Sequence, residues 1–203
     1  MTNTQFIAKE GYKGAMILAI TIVFFMWWGK DFFVFLFLLC LILWLFAFRN
    51  PERLPEDRIN DGVFAPIDGK ITNIFAQDDF IEICIDVDWF DVGVLRVPVD
   101  ILSYEVSKKN GLFLKSAKDG VKQALNTKIV FFSRKNYNFK LELYPEIFSS
   151  AQIYKKTDFV ANDRMGFMKI GCLCFSFPAE FLDIKVNVGD RIKGGQTLIG
   201  YLK

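Results

Sequence analysis

Cys172 and Cys174, two residues apart in Gly171-Cys172-Leu173-Cys174, are the side chains of this sequence best suited to chemistry. On any strand they share one face, where each is either a small packed side chain or a reactive thiol. A metal is not expected, because neither a CxxC pair nor a histidine accompanies them. The complete absence of histidine from the 203 residues excludes much else. It removes histidine-dependent triads, HExxH zinc sites and imidazole general bases. The other two cysteines are Cys40, inside an apolar run, and Cys84. A reducing compartment would keep Cys84, Cys172 and Cys174 as free thiols. With 25 basic against 23 acidic residues the net charge is only +2, so no nucleic-acid partner is expected.

The elements that must carry these groups fall into two parts. Hydrophobic residues make up 52% of the chain, and the excess lies near the N-terminus. Residues 14–28 read GAMILAITIVFFMWW and residues 32–48 read FFVFLFLLCLILWLFAF, neither with a charge. About 17 residues of helix reach about 25 Å, the short end of what a bilayer requires. Gly29, Lys30 and Asp31 separate the runs. A signal peptide would have one apolar core and a cleavage site, and a single bent span would bury Lys30 and Asp31 in hydrocarbon. The expectation is therefore a transmembrane helical hairpin, with helices over residues 14–28 and 32–48; a re-entrant or monotopic pair is the alternative. Lys9 and Lys13 precede the pair, and Arg49, Arg53 and Arg58 follow it, against Lys30 alone in the turn. That asymmetry predicts a multi-pass protein of the inner (cell) membrane with its soluble domain on the cytoplasmic side.

Arg49-Asn50-Pro51-Glu52-Arg53-Leu54-Pro55 ends the anchor of residues 1–50, since prolines and charges cannot continue a membrane helix. Residues 51–203 then read as a β-rich domain. β-Branched and aromatic stretches lie at 70–75, 80–87, 94–98, 101–107, 128–133, 139–143, 165–170, 173–177 and 197–202. Turns are expected at Asp68-Gly69, Asn110-Gly111, Asp119-Gly120, Gly189-Asp190 and Gly194-Gly195, and a short helix over 117–125. Two distant segments, 65–71 and 186–199, resemble the paired turns of the barrel-sandwich hybrid of biotinyl and lipoyl carriers. The fold class expected is mainly β, a barrel-sandwich-hybrid-like domain behind the hairpin. No lysine sits at a matching hairpin tip, so a swinging-arm carrier is not expected.

The order of landmarks is more specific than any one of them. Phe48-Arg49-Asn50-Pro51-Glu52-Arg53 is followed by Ala65-Pro66-Ile67-Asp68-Gly69-Lys70-Ile71, then by Asp91-Val92-Gly93-Val94-Leu95-Arg96-Val97-Pro98. Asn110-Gly111-Leu112-Phe113, Arg164-Met165-Gly166-Phe167-Met168-Lys169-Ile170-Gly171-Cys172 and the glycine-rich tail complete it. The series resembles the short, membrane-anchored branch of the phosphatidylserine decarboxylase family, including its archaetidylserine-acting relatives. That branch reads FFRDP, SPADGKV, DVHVNRAP, GKF, a GMIRFGS-type segment and a V-x-x-G-x-x-V-x-x-G-x-T tail, and the resemblance covers essentially the whole chain.

The resemblance implies a self-processing enzyme of phospholipid (phosphatidylethanolamine) biosynthesis. In that family the serine of a Gly-Ser pair attacks the preceding carbonyl, the chain splits, and a pyruvoyl group remains as the electron sink for decarboxylating a serine head group. The implied partner is a membrane phospholipid, with a homo-oligomer left open. Carried over by position, Cys172 is the candidate pyruvoyl precursor, Gly171 its partner at the cleavage site, and Asp68 the acidic residue of the DG turn. The plainer reading of Asp68 is an ordinary turn residue, and of Cys172 a buried thiol. Arg96 matches a basic position that either binds lipid phosphate or pairs with Asp91 or Asp100. Lys108, Lys109, Lys155 and Lys156 are loop charges able to hold anionic head groups. Two departures fall at the centre: Cys172 replaces the reactive serine, and Gly93 replaces the histidine of DVHVNR. Losing a general acid–base group costs about 10²–10⁴-fold. The alternative is thus a catalytically degenerate lipid-binding or regulatory protein on the same scaffold.

Overall fold

The computed structural model describes residues 6–53, 61–77, 79–115, 120–134, 138–147, 151–156 and 158–203. Leu54, Pro55, Arg58 and Asp119, and the first part of the expected 117–125 helix, lie outside them. The chain divides into two compact units, Met1–Glu52 and Arg53–Lys203.

The first unit is a helical pair, α1 (Gly11–Trp27) and α2 (Asp31–Ala47). The turn between them needs Gly29, whose φ of 62° is left-handed. Carbonyls of Phe24, Phe25 and Met26 accept the amides of Trp28, Lys30 and Gly29 there, satisfying the end of α1. At the other end Ile7 pairs with Arg49, and the Trp44 indole donates to the Gly11 carbonyl at 2.9 Å. Phe25 stacks on Phe33 and Phe37 between the helices. These two closures stop each helix at 17 residues, about 25 Å against a hydrocarbon core of about 30 Å. Among the described residues no helix is long and apolar enough to cross a membrane. The two apolar helices are those expected over 14–28 and 32–48, shifted by one to three residues, and their length does not by itself support the expected transmembrane hairpin.

The second unit is mainly β. Its strands are β1 (Gly62–Phe64), β2 (Gly69–Gln77), β3 (Phe80–Val87), β4 (Val94–Arg96), β5 (Ser103–Lys109), β6 (Lys128–Arg134) and β7 (Lys140–Pro145). They continue as β8 (Ala151–Ile153), β9 (Arg164–Met168), β10 (Gly171–Pro178), β11 (Leu182–Ile184), β12 (Arg191–Ile192) and β13 (Leu198–Leu202), with a short helix α3 (Gly120–Leu125) before β6. A seven-stranded antiparallel sheet runs β12-β2-β3-β10-β7-β6-β5; two three-stranded sheets run β1-β13-β11 and β4-β9-β8. All three contribute to one apolar core.

The period-two pattern of β10 explains how the large sheet is used. Leu173, Phe175 and Phe177 point into the core, where Phe139 lies against both phenylalanines. Each such ring contributes about 1.5–3 kcal/mol by leaving water. Cys172, Cys174 and Ser176 take the opposite face and are also buried. The two segments read as halves of one turn system do meet. β12 pairs with the start of β2, Arg191 opposite Lys70 and Ile192 opposite Gly69. The Ala65 amide donates to Thr197 and the Gly195 amide to Ala65, at 2.9 and 2.8 Å.

Candidate functional site

Gly171 and Cys172 open β10 at the corner that leaves β9. Ile170, just before them, has φ 55°, an outlier for a β-branched residue, and Gly171 has φ 150°. A side chain on Gly171 would collide with the Tyr144 carbonyl, so glycine is required. Cys172 then lies between Asp86 of β3 and Tyr144 of β7 in register. It is fully buried. Burial pushes its thiol up to about 12, and the Asp86, Glu146 and Glu82 carboxylates add to the shift.

The sequence expectation of free thiols is corrected at the neighbouring pair. Cys84 and Cys174 face each other across β3 and β10, their Cα atoms 4.2 Å apart, and form a disulfide that spans 90 residues. Cys172 is a free, buried thiol beside it.

Asp68 lies elsewhere, at the entry to β2. β3 separates β2 from β10, so the two strands are about 10 Å apart. Its carboxylate is held by Arg53: one oxygen accepts from Nη1, the other from Nη2 at 2.6 Å. The Gly194 amide also donates to it, at 2.8 Å. Asp68 is therefore an ion-paired clamp between the chain after the helical pair and the C-terminal turn. Arg96 belongs to the same cluster. Its Nη1 donates to the backbone and side-chain oxygens of Asn162, each at 3.1 Å, and the Asn162 amide donates to the Arg53 carbonyl at 2.9 Å. Of the carboxylates considered for Arg96, Asp91 accepts from Arg191 at 3.3 Å and Asp100 accepts from the Ala161 amide at 2.7 Å. The structure thus brings Asp68 and Arg96 together through Arg53 and Asn162, and leaves Cys172 with a different set of neighbours.

Gly93 sits where the resemblance implies an imidazole, beside the corner that leads to Gly171. Its carbonyl accepts the Met168 amide at 2.7 Å. A Cβ on it would meet the Met168 carbonyl oxygen at 2.5 Å and the Phe167 ring at 3.0 Å. A side chain at Gly93 would therefore require the Met168 carbonyl and the Phe167 ring to shift.

A groove of about 330 Å³ is lined by Lys109, Gln123, Asn126, Lys128 and Tyr144 among others. The Lys128 ammonium pairs with Glu142 at 2.6 Å and lies over the Tyr144 ring. The Tyr144 hydroxyl donates to Glu142 at 2.6 Å. Burial alone would raise the Glu142 carboxyl, but hydrogen bonds from Lys128, Lys140 and Tyr144 outweigh it and hold it below its ordinary value. Sequence reasoning missed Arg53, Asn162, Glu142 and Tyr144 as site residues. Arg53 read as a linker charge, and nothing local marks the other three.

Comparison with known proteins gives these positions a family. The family model for phosphatidylserine decarboxylase matches residues 41–200. The chain is 26% identical to the phosphatidylserine decarboxylase proenzyme of Syntrophotalea carbinolica, over 99% of each chain. It is 29% identical to that of Carboxydothermus hydrogenoformans over 82% of this chain and 84% of the relative, and 26% identical to that of Geotalea uraniireducens over 97% and 96%. No solved structure matches it. The match runs through both the Asp68 turn and the Gly171–Cys172 corner, and the chain belongs to the phosphatidylserine decarboxylase family.

Proposed function

We propose that this chain serves phospholipid biosynthesis as a non-processing member of its family, which binds a serine-type phospholipid head group and does not decarboxylate it. The observation that carries this reading is Gly93: the position of the family's imidazole has no room for a Cβ, 2.5 Å from the Met168 oxygen. Cys172 is itself buried, which pushes its thiol up and disfavours the thiolate that would attack the chain. The head group would sit in the groove by Tyr144, where Lys109 offers an ammonium group to a phosphate beside the Lys128 ammonium that Glu142 already pairs. The α1–α2 pair would attach the protein to the cytoplasmic face of the cell membrane as a shallow hairpin, through exposed side chains such as Ile17, Ile20, Phe35 and Ile42. Vesicles of phosphatidylserine and phosphatidylcholine test it. The protein should sediment with the anionic vesicles and release no carbon dioxide from carboxyl-labelled lipid. Turnover, or indifference to the anionic lipid, would refute it.

One observation favours a second reading. Ile170 at φ 55° and Gly171 at φ 150° keep an unusual backbone directly before Cys172, as a peptide poised for scission would have. On that reading the chain splits between Gly171 and Cys172 and matures as a decarboxylase. The same labelled lipid would then lose its carboxyl group.

A further inference from the structure

The sulfur atoms of Cys84, Cys172 and Cys174 all lie within 4.8 Å of one another. The sheet register produces this grouping. Cys84 and Cys174 are direct cross-strand partners, and Cys172 precedes Cys174 by two residues, so all three project from one face of β3 and β10. All three are buried, at 2%, 0% and 2% exposure. We propose that, with the Cys84–Cys174 disulfide reduced, these three thiols form a binding site for one thiophilic divalent d¹⁰ cation of the zinc type. This rests on the reading that the chain stays unprocessed, because scission would consume Cys172.

Geometry, charge and chemistry agree. Three sulfurs around such an ion, each about 2.3 Å from it, stand about 3.8 Å apart. To reach it the Cys84 and Cys174 sulfurs, bonded in the disulfide, must move apart on reduction and the Cys172 sulfur, within 4.8 Å of both, must take up the third corner. A Glu82 oxygen lies 3.7 Å from the Cys84 sulfur, on the same strand face, and stands ready for the fourth position, which water could also fill. Glu82 and Asp86 flank the cluster on β3, so three uncompensated thiolates would be costly and a dication would relieve them. Thiolate ligands select a soft ion over magnesium or calcium. The balance is simple. A thiol reductant supplies two electrons and two protons to the disulfide and is itself oxidised to a disulfide. The three thiols then bind one M²⁺ and release three protons, leaving a complex of net charge −1.

The test uses the full-length protein, reduced with a phosphine under argon, with intact mass and thiol count recorded on the same sample. Zinc is titrated against a chromophoric chelator, and cadmium is followed by its thiolate charge-transfer absorption. The expected result is one ion per unsplit chain. Cys84→Ser and Cys174→Ser should each weaken binding by more than about 100-fold, and Cys40→Ser, in α2, should leave it unchanged. Retained thermal unfolding of the β signal shows that a variant has folded, and Cys172→Ser repeats the test for any that has not. An unsplit, fully reduced chain that binds no ion overturns the site. So does binding that survives both serine variants, or a disulfide that resists reduction in the folded protein. A split chain instead overturns the unprocessed reading on which the site rests.

Discussion

Replacing Asp68 with alanine separates a structural carboxylate from a catalytic one. The side chain is about 10% exposed and that of its partner Arg53 about 12%, so both charges are largely out of water. Asp68→Ala removes two charge-assisted hydrogen bonds from Arg53 and the acceptor of the Gly194 amide. Removing one member of a buried pair costs about 3–5 kcal/mol, chiefly because the other charge is stranded. An orphaned amide alone would cost about 1–3 kcal/mol, but here part of that loss is already counted, so about 4 kcal/mol is the working figure. The β unit spans Arg53–Lys203. For a domain of that size each kcal/mol moves the melting point by about 2–4 °C, which predicts a fall of about 8–16 °C. Asp68→Asn keeps an acceptor for Gly194 and loses only the charge, so it should fall by roughly half as much. Thermal melts followed by the β circular-dichroism signal in one fixed detergent read both. A melting point for Asp68→Ala within about 2 °C of the parent would refute the clamp.

Other perturbations discriminate in different ways. Gly93→His, which restores the family residue, should cost at least about 1–3 kcal/mol by overpacking against Phe167 and the Met168 carbonyl, and gain no lipid turnover; a stable variant that releases carbon dioxide would contradict the closed-site account. The lowered Glu142 carboxyl sets an acid limb. Its stabilisation is complete above the ordinary value of 4.5 and is lost as pH falls through the depressed folded value, so melting points of parent and Glu142→Gln should converge on acidification; parallel curves would contradict it. Lys109→Ala should weaken binding to anionic vesicles by about fivefold, more at low salt than at high, as measured by co-sedimentation; unchanged binding would remove the groove from the head-group site.

Much of the β unit was legible because its strands alternate cleanly. β3 begins and ends where its period-two pattern does, at Phe80 and Val87. The strand expected over 94–98 stops at Arg96, since Val97 gives its amide to Asp163 and Pro98 has none to give. The meeting of 65–71 with 186–199 was legible from their resemblance to the paired turns of the barrel-sandwich hybrid, although more than a hundred residues intervene. The site was less so. That Cys172 and Cys174 share a face follows from spacing, but their proximity to Cys84 depends on which strand lies next to β10. Arg53 read as one linker charge among several, and only the fold shows it returning to Asp68. That Gly93 departs from the motif it resembles was plain in the sequence; that Phe167 and Met168 lie against it was not. Helix length was legible to within a few residues, and helix ends less so. The apolar runs say where hydrocarbon is preferred, whereas the Gly29 turn and the Ile7–Arg49 bridge decide where the helices end.

The most direct test of the central claim is the mass of the chain isolated from its own cells without reductant. A protein whose Gly171–Cys172 peptide stays whole gives one species at the full 23.4 kDa, less two hydrogens for the Cys84–Cys174 disulfide. Two fragments meeting at that peptide, the second lacking a free amino terminus, would contradict the account and return the protein to the decarboxylases.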